Sequence, residues 1–116
     1  MSQLERFDRL ISKGEIILQN AKDMEFCDEE SIWDACFHRE EVETIRDKWN
    51  REVLNFLDNE FGSYTAVYVN FRLNLHSCCY TLEDEIKDIR NCLAVLRAER
   101  QHLHSQMLYN EPRLFT

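Results

Sequence analysis

The sequence predicts an all-α protein, folded as a single up-and-down four-helix bundle. Its 116 residues include only two glycines and one proline, whereas β-sheet folds need turn residues about every 8–12 positions. Apolar residues recur at helical spacing along most of the chain, and the length suits one domain with a substantial core. A Rossmann-type nucleotide site needs a glycine-rich loop, which Gly14 and Gly62 cannot form. We expect one helical domain over residues 1–110 and a loosely ordered tail over 111–116.

The first helix is predicted to begin after Ser2, which can cap it together with Glu5 three residues further on. Gly14 lies on its apolar stripe, so we expect another helix to cross closely there; the alternative is that the glycine is merely tolerated. Residues 23–31 are predicted to form a loop. The stripe consists of Leu4, Phe7, Leu10, Ile11, Ile17, Leu18 and Ala21.

A short helical stretch capped by Ser31 is predicted next, followed by a second long helix from Glu40 to Phe61. Gly62 follows directly, where a helix often ends in a residue with positive φ. The predicted apolar face of the second helix consists of Val42, Ile45, Trp49, Val53, Phe56 and Leu57.

Residues 64–80 fit two patterns. Apolar residues alternate from Val67 to Leu75, as in a strand, and they also fit a helical stripe. We predict a helix from Tyr64 to Tyr80, because a lone strand would have no partner elsewhere in the sequence. This helix is apolar on nearly all sides, with Arg72 as its only formal charge. It is therefore either central in the bundle or buried in an oligomer interface.

Thr81 is a predicted N-cap for the last helix, whose first turn is acidic and complements the helix dipole. Its seam has the 3–4 spacing of a heptad repeat and is interrupted only by Arg100. The apolar members of the seam are Leu82, Ile86, Ile89, Leu93, Leu96, Leu103 and Met107.

The net charge of −8 comes from one segment. Between Asp23 and Glu43 there are nine acidic residues and one arginine, whereas the rest of the chain carries 13 basic and 13 acidic residues. This distribution argues against nucleic acid as the main ligand. The segment is either a solvated surface or a docking surface for a basic partner, to which Glu29 and Glu30 would contribute.

The five cysteines do not suggest a disulfide framework, because their number is odd and Cys78 adjoins Cys79. With no signal peptide and no apolar run near 18 residues, we expect a reduced, cytoplasmic protein that does not enter a membrane. There is no CxxC motif and no histidine pair four residues apart on one helix. We therefore predict no metal site and no cofactor.

These features predict a non-catalytic module that binds a protein partner or a second copy of itself. The candidate contact residues lie on the third helix, where aromatic and aliphatic side chains exceed what one core-facing stripe requires. They are Tyr68, Val69, Leu73 and Tyr80. An acidic inhibitor of the phage type, which mimics nucleic acid, is a further alternative that rests on charge and size.

A run from Trp49 through Leu54, Leu57 and Phe61 to Gly62 and Ser63 is followed by Tyr68, Phe71 and the stretch from Ile89 to Leu96. This pattern resembles an accessory helical domain found at the N-terminus of bacterial defence and stress proteins, some with TIR-type effector domains. The resemblance implies a non-catalytic role in assembly, in antiviral defence or its regulation.

Arg97 and His102, with His104 two residues further, carry a second resemblance. An arginine followed by a histidine after four to six residues resembles the active-site signature of HEPN-domain ribonucleases, which are helical bundles. The resemblance implies that His102 would move the proton of the ribose 2′-hydroxyl or leaving oxygen. Arg97 would then stabilise the phosphate. The basic end of a helix that complements its own dipole accounts for the same residues.

Overall fold

The computed structural model describes residues 2–25, 32–75 and 82–110, and these residues form four α-helices and no strand. The helices are α1 (Gln3–Glu25), α2 (Ile32–Phe61), α3 (Ala66–Leu73) and α4 (Leu82–Asn110). One side of α1 packs against α2 and the other against α4, and α3 packs against the same two helices. The predicted all-α bundle is confirmed. It is elongated, with extents of 66 × 25 × 21 Å, because three of its four helices exceed 20 residues.

The start of α1 agrees with the sequence prediction, and its end does not. The backbone N–H of Glu5 donates a hydrogen bond of 3.2 Å to Ser2 Oγ, which confirms Ser2 as the N-cap. The helix continues to Glu25, so the prediction that the loop begins at residue 23 was wrong. No glycine or proline interrupts the chain there, and a Gln19–Asp23 hydrogen bond of 2.9 Å joins successive turns.

Gly14 lies where α1 meets α2 and α4 at close range. A Cβ atom at this position would stand 2.5 Å from Trp49 Cζ2 and 2.6 Å from Leu93 Cδ2. The Trp49 indole N–H donates a buried hydrogen bond of 2.9 Å to the Leu10 carbonyl, one turn before Gly14. The predicted close crossing is therefore confirmed, and the indole occupies the space that a side chain at position 14 would need.

The core is rich in aromatic rings. Phe7 contacts Phe56 edge-on, with ring centroids 5.0 Å apart, and Trp49 contacts Phe71 at 5.8 Å. Such edge-to-face pairs add a modest stabilisation beyond the apolar area they bury. The buried apolar residues are Phe7, Leu10, Ile11, Ile17, Ala21, Trp49, Val53, Leu57, Val67, Phe71, Ile86, Ile89, Cys92, Leu93 and Leu96.

The second helix is longer than predicted. It begins at Ile32, so the short stretch expected after Ser31 and the helix expected from Glu40 form one continuous element. No glycine or proline separates them, and nothing in the local sequence stops the first from propagating into the second. The proposed caps Ser31 and Thr81 lie outside the described residues. Ile45, expected on the buried face, is 44% exposed.

Gly62 ends α2 with a φ of +95°, as predicted for a C′ glycine. Its N–H lies 2.9 Å from the Asp58 carbonyl and 3.2 Å from the Leu57 carbonyl. The Thr65 hydroxyl then donates a hydrogen bond of 2.8 Å back to the Gly62 carbonyl, which tightens the turn into α3.

The third helix is the shortest element, with eight residues from Ala66 to Leu73. Over residues 66–73 the helical prediction is confirmed, and within the described residues 64–75 the strand alternative is wrong. The predicted helix, from Tyr64 to Tyr80, was too long, because α3 ends at its C-cap, Asn74. The backbone N–H groups of Asn74 and Leu75 bond to carbonyls three residues back, and the Asn74 side-chain amide bonds to the Asn70 carbonyl at 2.8 Å. These tighter bonds are typical of the end of a helix.

None of the four helices, over the residues that the structure describes, is long and apolar enough to cross a membrane.

Candidate interaction surface

α3 and the turn before it expose large apolar side chains. Tyr64 is 98% exposed, Leu73 is 70% exposed and Val69 is 41% exposed. We call these three residues the α3 ridge. The ridge follows from the composition of α3, because only Val67 and Phe71 of this helix are buried in the core. The other aliphatic side chains of α3 point away from the core and are exposed to solvent.

A shallow groove of about 340 Å³ lies beside the ridge. Tyr68 forms its inner wall, since this side chain is partly buried and packs against the core, while Arg72 contributes a cation at the rim. The groove is lined by Ser63, Tyr68, Val69, Arg72, Leu73 and Leu75. It is an apolar surface with one positive charge, which suits contact with another protein surface.

The structure brings three of the six predicted contact residues together. Tyr68, Val69 and Leu73 line the same groove, and two of them belong to the ridge. Tyr80, Glu29 and Glu30 lie outside the described residues. Tyr64 is the most exposed aromatic of the described chain, and it was not among the predicted contact residues.

A second uncharged surface lies on α4 and was not predicted. Its residues recur at intervals of three and four, as in a heptad, and each is exposed. We call it the α4 outer stripe: Asn91, Ala94, Ala98, Gln101, Ser105 and Leu108. By helix geometry the stripe lies roughly 140° around α4 from the core-facing seam. The 3–4 spacing is visible in the sequence, but the small and polar residues that carry it give no hydrophobic signal.

The two surfaces adjoin each other. A shallow groove of about 370 Å³ separates α3 from the outer side of α4, and Ala66 and Asn70 line it on the α3 side. The α4 side consists of Ala94, Val95, Ala98 and Glu99. The α3 ridge and the α4 outer stripe therefore form one largely uncharged face of the bundle.

Arg97 and His102 are not brought together by the fold. The Arg97 guanidinium donates a hydrogen bond of 2.7 Å to Glu15 of α1, and the exposed His102 lies about 140° away around α4. The two side chains thus leave α4 in different directions, and the ribonuclease hypothesis remains a prediction.

Arg100, which interrupts the core seam of α4, has a structural contact. Its Nε and Nη2 atoms lie 2.7 and 3.3 Å from the two carboxylate oxygens of Asp8, and this hydrogen bond raises the pKa of the guanidinium above its usual value. Arg97 and Arg100 thus face acidic residues of α1. Arg97, which the ribonuclease resemblance singled out, and Arg100 therefore both join α4 to α1.

Charged and polar groups also lie inside the bundle. Glu85 is fully buried and accepts a hydrogen bond of 3.0 Å from Arg46 Nη1, which joins α2 to α4. Cys92 lies nearby, and burial together with Asp88 raises the pKa of its thiol to about 12. Because a neutral thiol is a poor nucleophile, Cys92 is suited to packing rather than to covalent catalysis. Among the described residues, no group of three or more metal-ligating side chains converges.

Of the acidic segment of the sequence, the structure describes the side chains of Asp23, Glu41 and Glu43. Asp23 and Glu41, at the end of α1 and in the first half of α2, are both exposed. The acidic side chains between residues 25 and 40 lie outside the described part of the molecule.

Comparison with protein-family models, with curated proteins and with solved structures gives no match to this chain.

Proposed function

We propose that this protein is a non-catalytic interaction module that binds a protein partner or a second copy of itself through the α3 ridge. The observation that carries the proposal is the exposure of Val69 and Leu73 on one short helix and of Tyr64 in the turn before it. Large apolar side chains grouped on a surface leave water when a partner covers them. Because the ridge contains no formal charge, a partner can cover it without desolvating an ion.

The aromatic content of the surface supports the same proposal. Tyrosine is enriched among residues that dominate binding energy, because it buries a large area at a small entropic cost. Tyr68 lines the groove beside Val69 and Leu73 of the ridge, and Tyr64 is 98% exposed. A partner with an apolar side chain could occupy this groove between Tyr68 and Leu73.

The cellular setting of the proposal comes from the resemblance alone. We propose a cytoplasmic role in the assembly or regulation of bacterial antiviral defence. Its support is the resemblance carried by the run from Trp49 to Ser63 and by the later residues up to Leu96.

The test compares two exposed aliphatic residues on different faces. Leu73→Arg places a charge on the α3 ridge, whereas Ile16→Arg places the same charge on the outer side of α1, where Ile16 is 62% exposed. We expect Leu73→Arg to weaken association by about tenfold or more and Ile16→Arg to leave it unchanged. Association is measured by sedimentation of the purified protein and by recovery of a stoichiometric partner from the source cell.

Circular dichroism and the thermal midpoint of both variants should match the original protein, because neither side chain is buried. Equal association by the two variants would contradict the assignment of the ridge. Degradation of RNA that is lost in His102→Ala would favour the ribonuclease hypothesis instead.

A further inference from the structure

The groove beside the α3 ridge, which we call the α3 groove, carries a single positive charge. Arg72 is the only charged residue among the side chains that line it, and the only one with a formal charge between Phe61 and Leu82 in the sequence. Arg72 is exposed and lies one helical turn from both Tyr68 and Val69. The groove therefore presents an apolar surface and a cation within the length of one turn.

Arg72 makes no ion pair with any residue that the structure describes. It lies in the last turn of α3, where the helix dipole supplies only about half a negative charge. Its guanidinium is therefore left to water or to an anion that another molecule brings. The arginines that link one helix to another differ, because each of them pairs with a carboxylate: Arg6 with Glu60, Arg46 with Glu85, Arg97 with Glu15 and Arg100 with Asp8.

A partner that fills the α3 groove also covers this cation. Removing a cation from water without a counter-ion costs more free energy than the burial of one apolar side chain returns. A carboxylate compensates this cost, because it accepts two parallel hydrogen bonds from a guanidinium. The groove therefore favours a partner that presents an acidic side chain beside an apolar one, and it disfavours a partner that presents a cation there.

We propose that the α3 groove binds an acidic segment of another protein. An apolar side chain of that segment packs between Tyr68 and Leu73, and a carboxylate within one helical turn of it pairs with Arg72. The inference rests on the proposed function and specifies the chemistry of its partner.

The charge of the chain agrees with a partner of this kind. The net charge of −8 arises from residues 23–43, whereas the rest of the chain is balanced, so the acidic excess is not a property of the α3 groove. A single arginine also suits a carboxylate better than a phosphorylated side chain, which clusters of arginines usually bind.

The first test selects ligands from a library of random short peptides displayed on phage, with the full chain as the target. Peptides that also bind the Leu73→Arg protein are removed. We expect the remaining sequences to share an aspartate or glutamate within about four positions of a large apolar residue, because the two sites on α3 lie one turn apart. Sequences without such a carboxylate would overturn the inference and leave the ridge as an interaction surface.

The second test exchanges the charges. For a synthetic peptide from the selection, fluorescence anisotropy should show a dissociation constant that rises by about tenfold or more in Arg72→Glu, and by less in Arg72→Gln. Replacing the acidic residue of the peptide with lysine should restore its binding to the Arg72→Glu protein.

Arg90→Glu is the matched control, because it makes the same change of charge on another side of the bundle. Arg90 is exposed and lies about 140° around α4 from Val95, which lines the groove between α3 and α4. This variant should bind the peptide as the original protein does, and circular dichroism should show all variants to be fully helical. Equal binding by Arg72→Glu and Arg90→Glu would contradict the role of Arg72.

The outcomes separate this inference from the proposed function. If no selected peptide requires Leu73, the inference is wrong, and the proposed function then stands only if Leu73→Arg loses a partner recovered from the source cell. Self-association that is lost in Leu73→Arg but unchanged in Arg72→Glu would identify a second copy as the occupant and overturn the acidic partner. If Leu73→Arg loses no peptide, no partner and no self-association, both proposals are contradicted.

Discussion

Gly14 shows how one residue determines the spacing of three helices. The absence of a side chain lets Trp49 of α2 and Leu93 of α4 approach the α1 backbone. It also lets the Trp49 indole reach the Leu10 carbonyl, so that its polar N–H is satisfied inside the core. Glycine lowers the stability of the helix itself, and the closer packing of the three helices offsets this loss.

We expect Gly14→Ala to destabilise the protein by up to about 2 kcal/mol. The added methyl group lowers the cost of the helix by about 1 kcal/mol, but overpacking against an indole that is hydrogen-bonded in place costs typically 1–3 kcal/mol. Equilibrium unfolding in urea measures the change, and Ser12→Ala on the exposed side of the same helix is the control. A more stable Gly14→Ala variant would mean that Trp49 and Leu93 move aside easily.

Arg46 and Glu85 form an ion pair inside the bundle. A fully buried glutamate is tolerated because an arginine from the neighbouring helix accompanies it. Such pairs contribute little net stability, and they penalise arrangements in which the two helices slide past one another. The pair thus helps to set the position of α2 relative to α4 along the bundle.

At the scale of elements, the helix ends are determined by a few residues. Gly62 stops α2 because it adopts a φ of +95°, which side chains rarely allow. Asn74 stops α3 through its own backbone and side-chain hydrogen bonds. The short α3 lies between these two residues and buries only one of its faces, through Val67 and Phe71. Its other aliphatic side chains therefore stay exposed and contribute to the ridge.

We expect Gly62→Ala to destabilise the protein by about 1 kcal/mol through the backbone alone, because a Cβ atom at this position would meet nothing within 4 Å. Gly62→Asn should cost less, since asparagine tolerates positive φ better than alanine. Thermal unfolding followed by circular dichroism gives both values. Equal losses in the two variants would show that the turn depends on something other than φ.

At the scale of the whole molecule, charge is sorted across α1. On the α2 side, Arg6 pairs with Glu60 at 2.6 Å and Lys13 pairs with Glu52 at 2.8 Å. On the α4 side the signs are reversed: Glu15 pairs with Arg97 and Asp8 pairs with Arg100, each at 2.7 Å. This sorting assigns each neighbour to one flank of α1. It therefore disfavours the bundle in which α2 and α4 exchange places.

Reversing the charge on one flank tests this role. The double substitution Asp8→Lys and Glu15→Lys should lower the free energy of unfolding modestly, because two exposed pairs are lost and like charges now meet. Adding Arg97→Glu and Arg100→Glu should restore most of the loss. The effect should shrink in high salt. No recovery in the fourfold variant would show that the two arginines serve another purpose.

The sequence by itself determined the helical class, the cap at Ser2, the crossing at Gly14 and the end of α2 at Gly62. These features depend on the conformational preferences of single residues or on the helical spacing of apolar residues. Both can be read from the sequence. Most of the core was also predictable, because apolar residues at helical spacing have few alternatives to burial. Three of the six predicted contact residues share one groove for the same reason, since an excess of apolar residues on a helix must be exposed somewhere.

Only the tertiary structure decided how long α3 is, which of its faces stays exposed, and that residues 32–61 form one helix. It also decided that Ile45 and Met107 of the predicted stripes are exposed, because exposure depends on where neighbouring helices end rather than on the residue's own helix. The α4 outer stripe became visible only once the core side of α4 was known. Burial is a property of pairs of elements, and a sequence pattern describes one element at a time.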